Sequence, residues 1–578
     1  AGRGIRMIFR RTALRKYRRF FTAFTSAAMA LLLPLPASAS GSPPAEAVFS
    51  LDASELADRW QLCHDEASGV EYWMLDAVYC SRPVLASAQH LTIYAPEAYM
   101  TRQADGSVVV KPDGAVISST GIPYTAMTAP ILLYNTSGGY SSSAVTAADL
   151  SYLQEGYVHV AIATRGKETQ NEAGEYIGQF PALIVDMKAG VRYLKANDAV
   201  LPGSARRIVS RGFSSGGAVS AMLGASGNSP LFEPYLKAIG AADSSDDIWM
   251  ALCSAPITNL SSADAAYEWY QKDNTSYWLF NAMAFDREGN DIRGVFPTGP
   301  NHIYPLGSNV LGGAHEDELS AKLYARYVDY VRSLGFDLGE NGRSGAFYED
   351  FTQLYADALA EYIARYDELK TDRQPETVEE YLVSLGEGWF TYDAVNGNIT
   401  INSLDDVITH HIARKKMCPS LDSYNYRSNE NSAFVQADGT TVHFSPVVRD
   451  GLNELLREAR DGLHPDWSQE DIHYLTLLVG DYAAVTDEAA AMLEVMSPIN
   501  YILGERDYAE RTIAPFWRLR VGSEDGDHGA PAAWLIAQGL EKHTDADVSV
   551  GIAWGMGHSL SELTEQDLYD YIAAAFAK

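Results

Sequence analysis

The chain has 578 residues, 47% hydrophobic and 21% charged, with 44 Lys+Arg against 75 Asp+Glu and a formal net charge of −31. That length suits a large enzyme core carrying a substantial insertion, and the composition excludes a disordered, collagen-like or coiled-coil chain. The acidity repels phosphate backbones and anionic lipid, so neither a nucleic acid nor a membrane surface is the expected partner.

Residues 1–39 run against that acidity. They hold eight basic residues (Arg3, Arg6, Arg10, Arg11, Arg15, Lys16, Arg18, Arg19) and no acid, then an apolar run from Phe20 to Leu35, then Ala37-Ser38-Ala39. This is the charged, apolar and small-residue order of a signal peptide cleaved near Ala39, and it predicts a secreted or periplasmic protein. An uncleaved anchor is disfavoured because the run is short and broken by Pro34 and Pro36. Arg18-Arg19 ahead of Phe20-Phe21 hints at twin-arginine export and leaves the route open. No membrane association is expected once the signal is removed.

From Phe49 to about 257, short apolar runs alternate with longer helical ones. The runs Leu91–Ala95, Ile131–Tyr134, Tyr157–Ala163, Arg207–Ser210 and Ile248–Cys253 read as strands, and Pro181–Asn197 as a helix packed on a sheet. That rhythm predicts an α/β fold with a mostly parallel sheet. It stops near 258. Helical stretches such as Asp317–Leu334 and Tyr348–Leu369 follow, separated by loop-rich tracts at 287–313 and 420–439. The rhythm returns with a strand at Phe516–Val521, a helix at Ala530–Lys542, a strand at Val548–Ala553 and a last helix at Ser559–Ala575. The expected organisation is a signal peptide at 1–39, the first part of the core at 40–257, a mainly helical insertion at 258–505, and the second part of the core at 506–578.

An exported chain meets an oxidising compartment, and Cys63 and Cys80 are spaced to close a short loop. Cys253 sits in an apparent core strand and reads as a small buried hydrophobe; the pairing of Cys418 is open. No Cys or His cluster has zinc-site spacing, so neither a metal nor a cofactor is expected.

The strongest chemical signal is Gly212-Phe213-Ser214-Ser215-Gly216, between the strand at Arg207–Ser210 and a small-residue helix. Gly-x-Ser-x-Gly in that setting is the sharp turn that projects a nucleophilic serine, here Ser214, with small residues letting the turn close. The bare pattern is expected about 0.3 times by chance in a chain this long, so the strand and helix around it carry the assignment. A serine nucleophile needs a base and a carboxylate to hold the base, following it in the order serine, acid, histidine. His558, in the Gly-Met-Gly-His turn after the last strand, occupies the base position. Asp525, 33 residues earlier and after the preceding strand, is the first choice for the acid, with Asp527 behind it. Asp243, Asp246 and Asp247 precede a strand and read as a solvated turn. For the oxyanion, Ser215 supplies one backbone N–H, and the loop Thr136–Gly139 after the Ile131–Tyr134 strand supplies the second, with Ser137 and Gly138 as candidates.

At this point the residues resemble a family, the bacterial tannases, with related phenolic-ester esterases nearby. The resemblance runs through Asn135–Tyr140, Gly212–Gly217, Leu223–Ser229, Pro256–Leu260, Ala266–Trp269, Ser497–Tyr501 and Trp517–Asp527. It implies an α/β-hydrolase core, a lid formed by the insertion, and hydrolysis of galloyl esters. It further implies that a lid Lys and Glu grip the galloyl hydroxyls together with the second Asp of the Asp525-Gly526-Asp527 motif. Lys416 fills the first role, with Lys415 as the alternative, Glu430 the second and Asp527 the third. Acceptors take phenolic O–H groups and a cation favours the more acidic hydroxyl. The expected activity is therefore that of a secreted serine esterase on galloyl esters, with a small phenolic ester as partner. Feruloyl or other carboxylic esters are the alternative within the fold, and a catalytically inactive binding protein is the alternative outside it.

Overall fold

The computed structural model describes residues 48–578 apart from 280, 282–283, 287–288 and 309–314; the expected signal peptide lies outside the described residues. A nine-stranded sheet runs through it, built from β1 (Gln61–His64), β2 (Glu71–Val78), β3 (His90–Pro96), β4 (Pro130–Tyr134), β5 (Val158–Ile162), β6 (Ser204–Phe213), β7 (Met250–Ser254), β8 (Phe516–Gly522) and β9 (Asp547–Ala553). The spatial order is β1-β2-β3-β5-β4-β6-β7-β8-β9. From β5 to β9 every pairing is parallel. β1, β2 and β3 join by antiparallel pairings, the last one to β5.

The central strands β4, β5 and β7 are mainly apolar because helices cover both faces; β5 and β7 are buried at every residue. The helix Ser215–Ala225 is likewise buried throughout, and a side chain at Gly224 would strike the Trp517 ring at 2.7 Å. The strand at Ile248–Cys253 is realised from Met250 to Ser254. The last helix begins at Glu565 rather than Ser559, because Thr564 caps it through a reciprocal bond with Asp567 and Ser561 adopts a positive φ of 54° ahead of it. Among the described residues no helix is long and apolar enough to cross a membrane.

Between β7 and β8 the described residues add no strand to this sheet. They form the helices Leu260–Tyr270, Glu316–Ser333, Ala346–Ala364, Leu404–His411, Pro446–Arg460 and Gln469–Tyr482, and two small hairpins. This segment shares its apolar interior with the core. Trp534, on a helix flanking the sheet, stacks on Phe351 at 5.4 Å, and Phe351 stacks on Trp269 at 6.4 Å. The insertion is therefore anchored at its base by the burial that holds the core together.

Two expectations fail. Cys63 is opposite Tyr72 in the β1–β2 register, whereas Cys80 lies past the far end of β2. Eight residues of extended chain span roughly 26 Å, against about 7 Å for the widest bridged Cα pair, and all four cysteines are free thiols. Asp246 is not a solvated turn residue; it is wholly buried, accepting Lys188 Nζ at 2.7 Å and Arg192 Nε at 2.9 Å. Burial opposes its charge, but those two cations hold its carboxyl below the ordinary range. Asp246→Ala leaves two cations without their shared anion and is expected to cost about 3–5 kcal/mol of stability, read from denaturant unfolding; a loss under 1 kcal/mol would refute the pairing.

Candidate active site

β6 ends at Phe213 and the next helix begins at Ser215, so the chain reverses within one residue. Ser214 takes φ 59° and ψ −124°, a conformation L-residues avoid and the surrounding turn enforces. Gly212 and Gly216 make the turn possible. A Cβ on the first would lie 2.2 Å from Gly216 O, and on the second 2.5 Å from Asn135 Oδ1. The Ser214 N–H donates to Ser254 O of β7 at 2.9 Å, which fixes the turn to the neighbouring strand.

Two loops leave the carboxyl ends of β8 and β9 and meet over Ser214. Ser523 N–H donates to Ala553 O at 2.9 Å, and Glu524 N–H to Met556 O at 2.8 Å. Gly522 lets them close, since a Cβ there would lie 2.1 Å from Met556 O. The outcome is a continuous chain of polar contacts. His558 Nε2 is 2.9 Å from Ser214 Oγ and its Nδ1 is 2.9 Å from Asp525 Oδ2. Asp525 is fully buried, and its other oxygen accepts the Asp527 N–H at 2.9 Å. Burial depresses the His558 pKa, but the bond and charge of Asp525, with Asp527 behind it, outweigh this and hold it above its ordinary 6.5.

The loop after β4 lies on the opposite side of Ser214. Asn135 braces it by donating to Arg211 O at 3.1 Å and Gly216 O at 3.3 Å, while its own oxygen accepts Ser137 Oγ–H at 3.0 Å. The Ser215 hydroxyl donates to Ser137 O and accepts the Tyr140 N–H. Gly138 donates its N–H to Thr136 O at 2.7 Å. Among the described residues no acceptor pairs with the N–H of Ser137 or of Ser215, the first residue of its helix. Of the two loop candidates, Ser137 thus keeps an available donor and Gly138 does not.

The three expected phenol-binding residues gather beside the imidazole. Lys416 Nζ pairs with Asp527 Oδ1 at 2.9 Å, so Lys416 and not Lys415 meets the aspartate. Glu430 is buried in the first turn of the helix Asn429–Ala433, close enough for its charge to act on Lys416. Burial works against the Lys416 charge, but Asp527 and Glu430 prevail and raise its pKa. Burial likewise opposes the Asp527 charge, and Lys416 with His558 pulls its pKa below the ordinary value.

The sequence did not single out the residues that hold this group. Tyr267 Oη–H donates to Gly526 O at 2.9 Å and accepts the Lys415 N–H at 3.2 Å, clipping the 413–416 segment to the acid loop. Gly526 has no room for a side chain, with Ala413 O 2.1 Å from its Cβ position. Arg414 pairs with Glu268 at 2.6 Å in a fully buried contact and donates from Nε to Lys416 O at 2.8 Å. Asn429 packs on Gly139, and Lys167 Nζ donates to Asn429 Oδ1 at 2.5 Å. The available signal was weak: Arg414 heads the basic run, and Tyr267 and Glu268 lie inside one of the family-like segments. Asp525, Asp527 and His558 also bring ligand-type atoms within 4.8 Å of one another, but Ser214, Lys416 and the mutual contacts already occupy those atoms.

Residues 127–289 match the model of the BD-FAE family, of feruloyl-esterase type. A search of the curated proteins finds no match. Among solved structures the chain is similar to the tannin acyl hydrolase of Lactobacillus plantarum, at 26% identity and TM-score 0.67, over 91% of this chain and 98% of that one. It is similar to the tannase of Fusobacterium nucleatum at 28% identity and TM-score 0.66, over 90% and 98%. A tannin acyl hydrolase in complex with ethyl gallate matches at 26% identity and TM-score 0.66, over 89% and 96%. Likeness to tannases along nearly the whole of both chains, joined to an esterase-family match across the segment bearing the Ser214 turn, makes this chain a carboxylic ester hydrolase with an α/β-hydrolase fold, similar to the bacterial tannases.

Proposed function

We propose that the chain is a secreted or periplasmic serine esterase that hydrolyses galloyl esters through an acyl-enzyme. His558 takes the Ser214 proton as Oγ attacks the ester carbonyl, and Asp525 holds the imidazole in the required tautomer. The N–H groups of Ser215 and Ser137 stabilise the oxyanion. Collapse breaks the bond to the alcohol oxygen, which receives the proton from His558. Water then gives its proton to the same imidazole, attacks the acyl carbonyl, and releases the acid while Ser214 regains a hydrogen. The insertion acts as a lid, contributing Lys416 and Glu430 from above the loop that bears Asp525 and Asp527.

The observation that carries the acyl preference is the Lys416–Asp527 pair with Glu430 at its side, two residues past the proposed catalytic acid. Two carboxylates and an ammonium match an array of adjacent phenols, each offering a donor. The similarity to a tannin acyl hydrolase solved with ethyl gallate supports the same choice. The BD-FAE match favours a second reading, hydrolysis of feruloyl esters. A feruloyl ring carries one phenol and one methoxy group, so it leaves a carboxylate without a donor, a costly state in a buried site. Initial rates on methyl gallate, methyl ferulate and nitrophenyl acetate separate the readings. Gallate release well above ferulate release is expected, and the reverse order would replace the first reading by the second.

The triad reading also fixes the sign of a pH effect. The base acts when neutral, so kcat/KM falls as pH drops through the His558 pKa, which Asp527 raises and Lys416 lowers. Asp527→Asn removes the anion and leaves the Lys416 charge opposed by Glu430 alone of the two carboxylates, so the acid limb on nitrophenyl acetate is expected to move to lower pH. Lys416→Ala is expected to move it the other way. Shifts of the same sign in both variants would refute this electrostatic arrangement.

A further inference from the structure

The start of the loop that delivers His558 is also tied to the insertion away from the expected phenol-binding residues. His411, the last residue of the helix Leu404–His411, stacks on Trp554 at 4.5 Å with the rings 12° from parallel. Trp554 is buried, stacks in turn on Trp389 at 6.4 Å, and donates its indole N–H to Tyr381 Oη at 3.0 Å. The imidazole therefore sits in a fixed aromatic slot. Its Nε2 lies 2.9 Å from Ser523 Oγ, and that oxygen accepts the Gly555 N–H at 2.8 Å.

The donor count fixes the polarity of this relay. Ser523 is wholly buried and has one proton to give. A lone pair of its oxygen already serves Gly555, so the proton goes to His411 Nε2, and His411 carries its own hydrogen on Nδ1. The reverse tautomer would set two N–H groups against one oxygen and leave a hydroxyl proton buried without a partner. Burial pulls the His411 pKa down to about 4, so the ring remains an acceptor at neutral pH.

Ser523 stands two residues before Asp525, and Gly555 three before His558. We propose that His411 is a positioning residue for the Asp525–His558 pair: by accepting the Ser523 proton from its slot on Trp554, it turns the Ser523 oxygen onto the Gly555 N–H and sets the spacing of the two loops. The proposal rests on the triad reading given above, and not on the identity of the acyl group. It makes the insertion a support for the general base as well as a cover for the phenol.

Three variants of the full-length chain test it. His411→Phe keeps a ring for stacking and removes the acceptor. Ser523→Ala removes the relay, and the double variant removes both. Each single change is expected to lower kcat about 10-fold on methyl gallate and on nitrophenyl acetate alike, with KM within about twofold, because the loss falls on alignment of the base. The double variant should be no worse than either single one, since both interrupt one path. His411→Gln, whose amide oxygen can reach the Nε2 position, should recover part of kcat. The Nδ1 proton of His558 shared with Asp525 gives a low-field proton NMR signal, which should shift or broaden in His411→Phe. Normal kcat and an unchanged signal in both single variants, whatever their unfolding midpoints, would overturn the proposal. Full turnover in Ser214→Ala would overturn the triad reading and this proposal together, whereas an inactive Ser214→Ala beside a fully active His411→Phe would overturn only the positioning role.

Discussion

Ser214→Ala is expected to lower kcat by about 10⁶-fold on every ester the enzyme accepts, leaving roughly the 10³–10⁴ acceleration that binding and oxyanion donors provide alone. The expected loss is this large because among the described residues the geometry offers no second nucleophile on the same base. His558 Nε2 faces Ser214 Oγ, and the neighbouring Ser215 hydroxyl is turned away into the loop after β4, between Ser137 O and the Tyr140 N–H. The variant should fold normally. Alanine meets the same backbone conformation at φ 59°, and the bond from residue 214 to Ser254 O is made by the backbone. A fluorophosphonate probe should label the parent chain and not the variant, and pre-steady-state release of nitrophenol should lose its burst. Retained turnover would refute the nucleophile. A parent chain that is neither labelled nor active would instead favour a binding protein built on a silent hydrolase fold.

The core was legible in the sequence where burial on both faces writes a continuous apolar run, as in Ile131–Tyr134 and Tyr157–Ala163. The meeting of Ser214, His558 and Asp525 was legible for a different reason: chain order and glycine spacing are local, and Gly212, Ser214, Gly216 and His558 are each read within a few residues. Of the antiparallel edge only the Leu91–Ala95 strand was read, and β1 and β2 were not. Glu71–Val78 alternates Trp73, Leu75 and Ala77 inward, a period-two signal, but β1 beside it is short and mostly exposed, so no second strand announced a pairing. The buried role of Asp246 depends on Lys188 and Arg192, which lie four residues apart on one face of a largely apolar helix; that face was a signal, while the partner 58 and 54 residues away in sequence was not. Lys415 and Lys416 could not be separated without structure, because the decision rests on Tyr267 and Arg414 fixing the backbone on either side. The His411–Ser523 contact joins residues 112 apart with no repeating pattern, and such links become visible only when the loops are seen together.

The second large effect should divide substrates instead of abolishing them all. Glu430→Gln keeps the size of the side chain, removes its charge and replaces one acceptor oxygen by a donor. On methyl gallate, kcat/KM is expected to fall by about 30- to 150-fold, the roughly 2–3 kcal/mol of a charge-assisted hydrogen bond made to a phenol. On nitrophenyl acetate, which has no phenol in its acyl part, the change should stay within about threefold. Lys416→Ala and Asp527→Ala should discriminate in the same direction, and Asp527→Ala is the sharper control. Asp525 accepts the backbone N–H of residue 527, which the substitution retains, so the orientation of His558 survives while the carboxylate is lost. The comparison belongs at a pH well above the acid limb, where the altered His558 pKa no longer affects the rate. Equal losses on both esters would mean that the three residues sustain the loop around Asp525 and His558 rather than the ring of the substrate, and the galloyl assignment would fall with them.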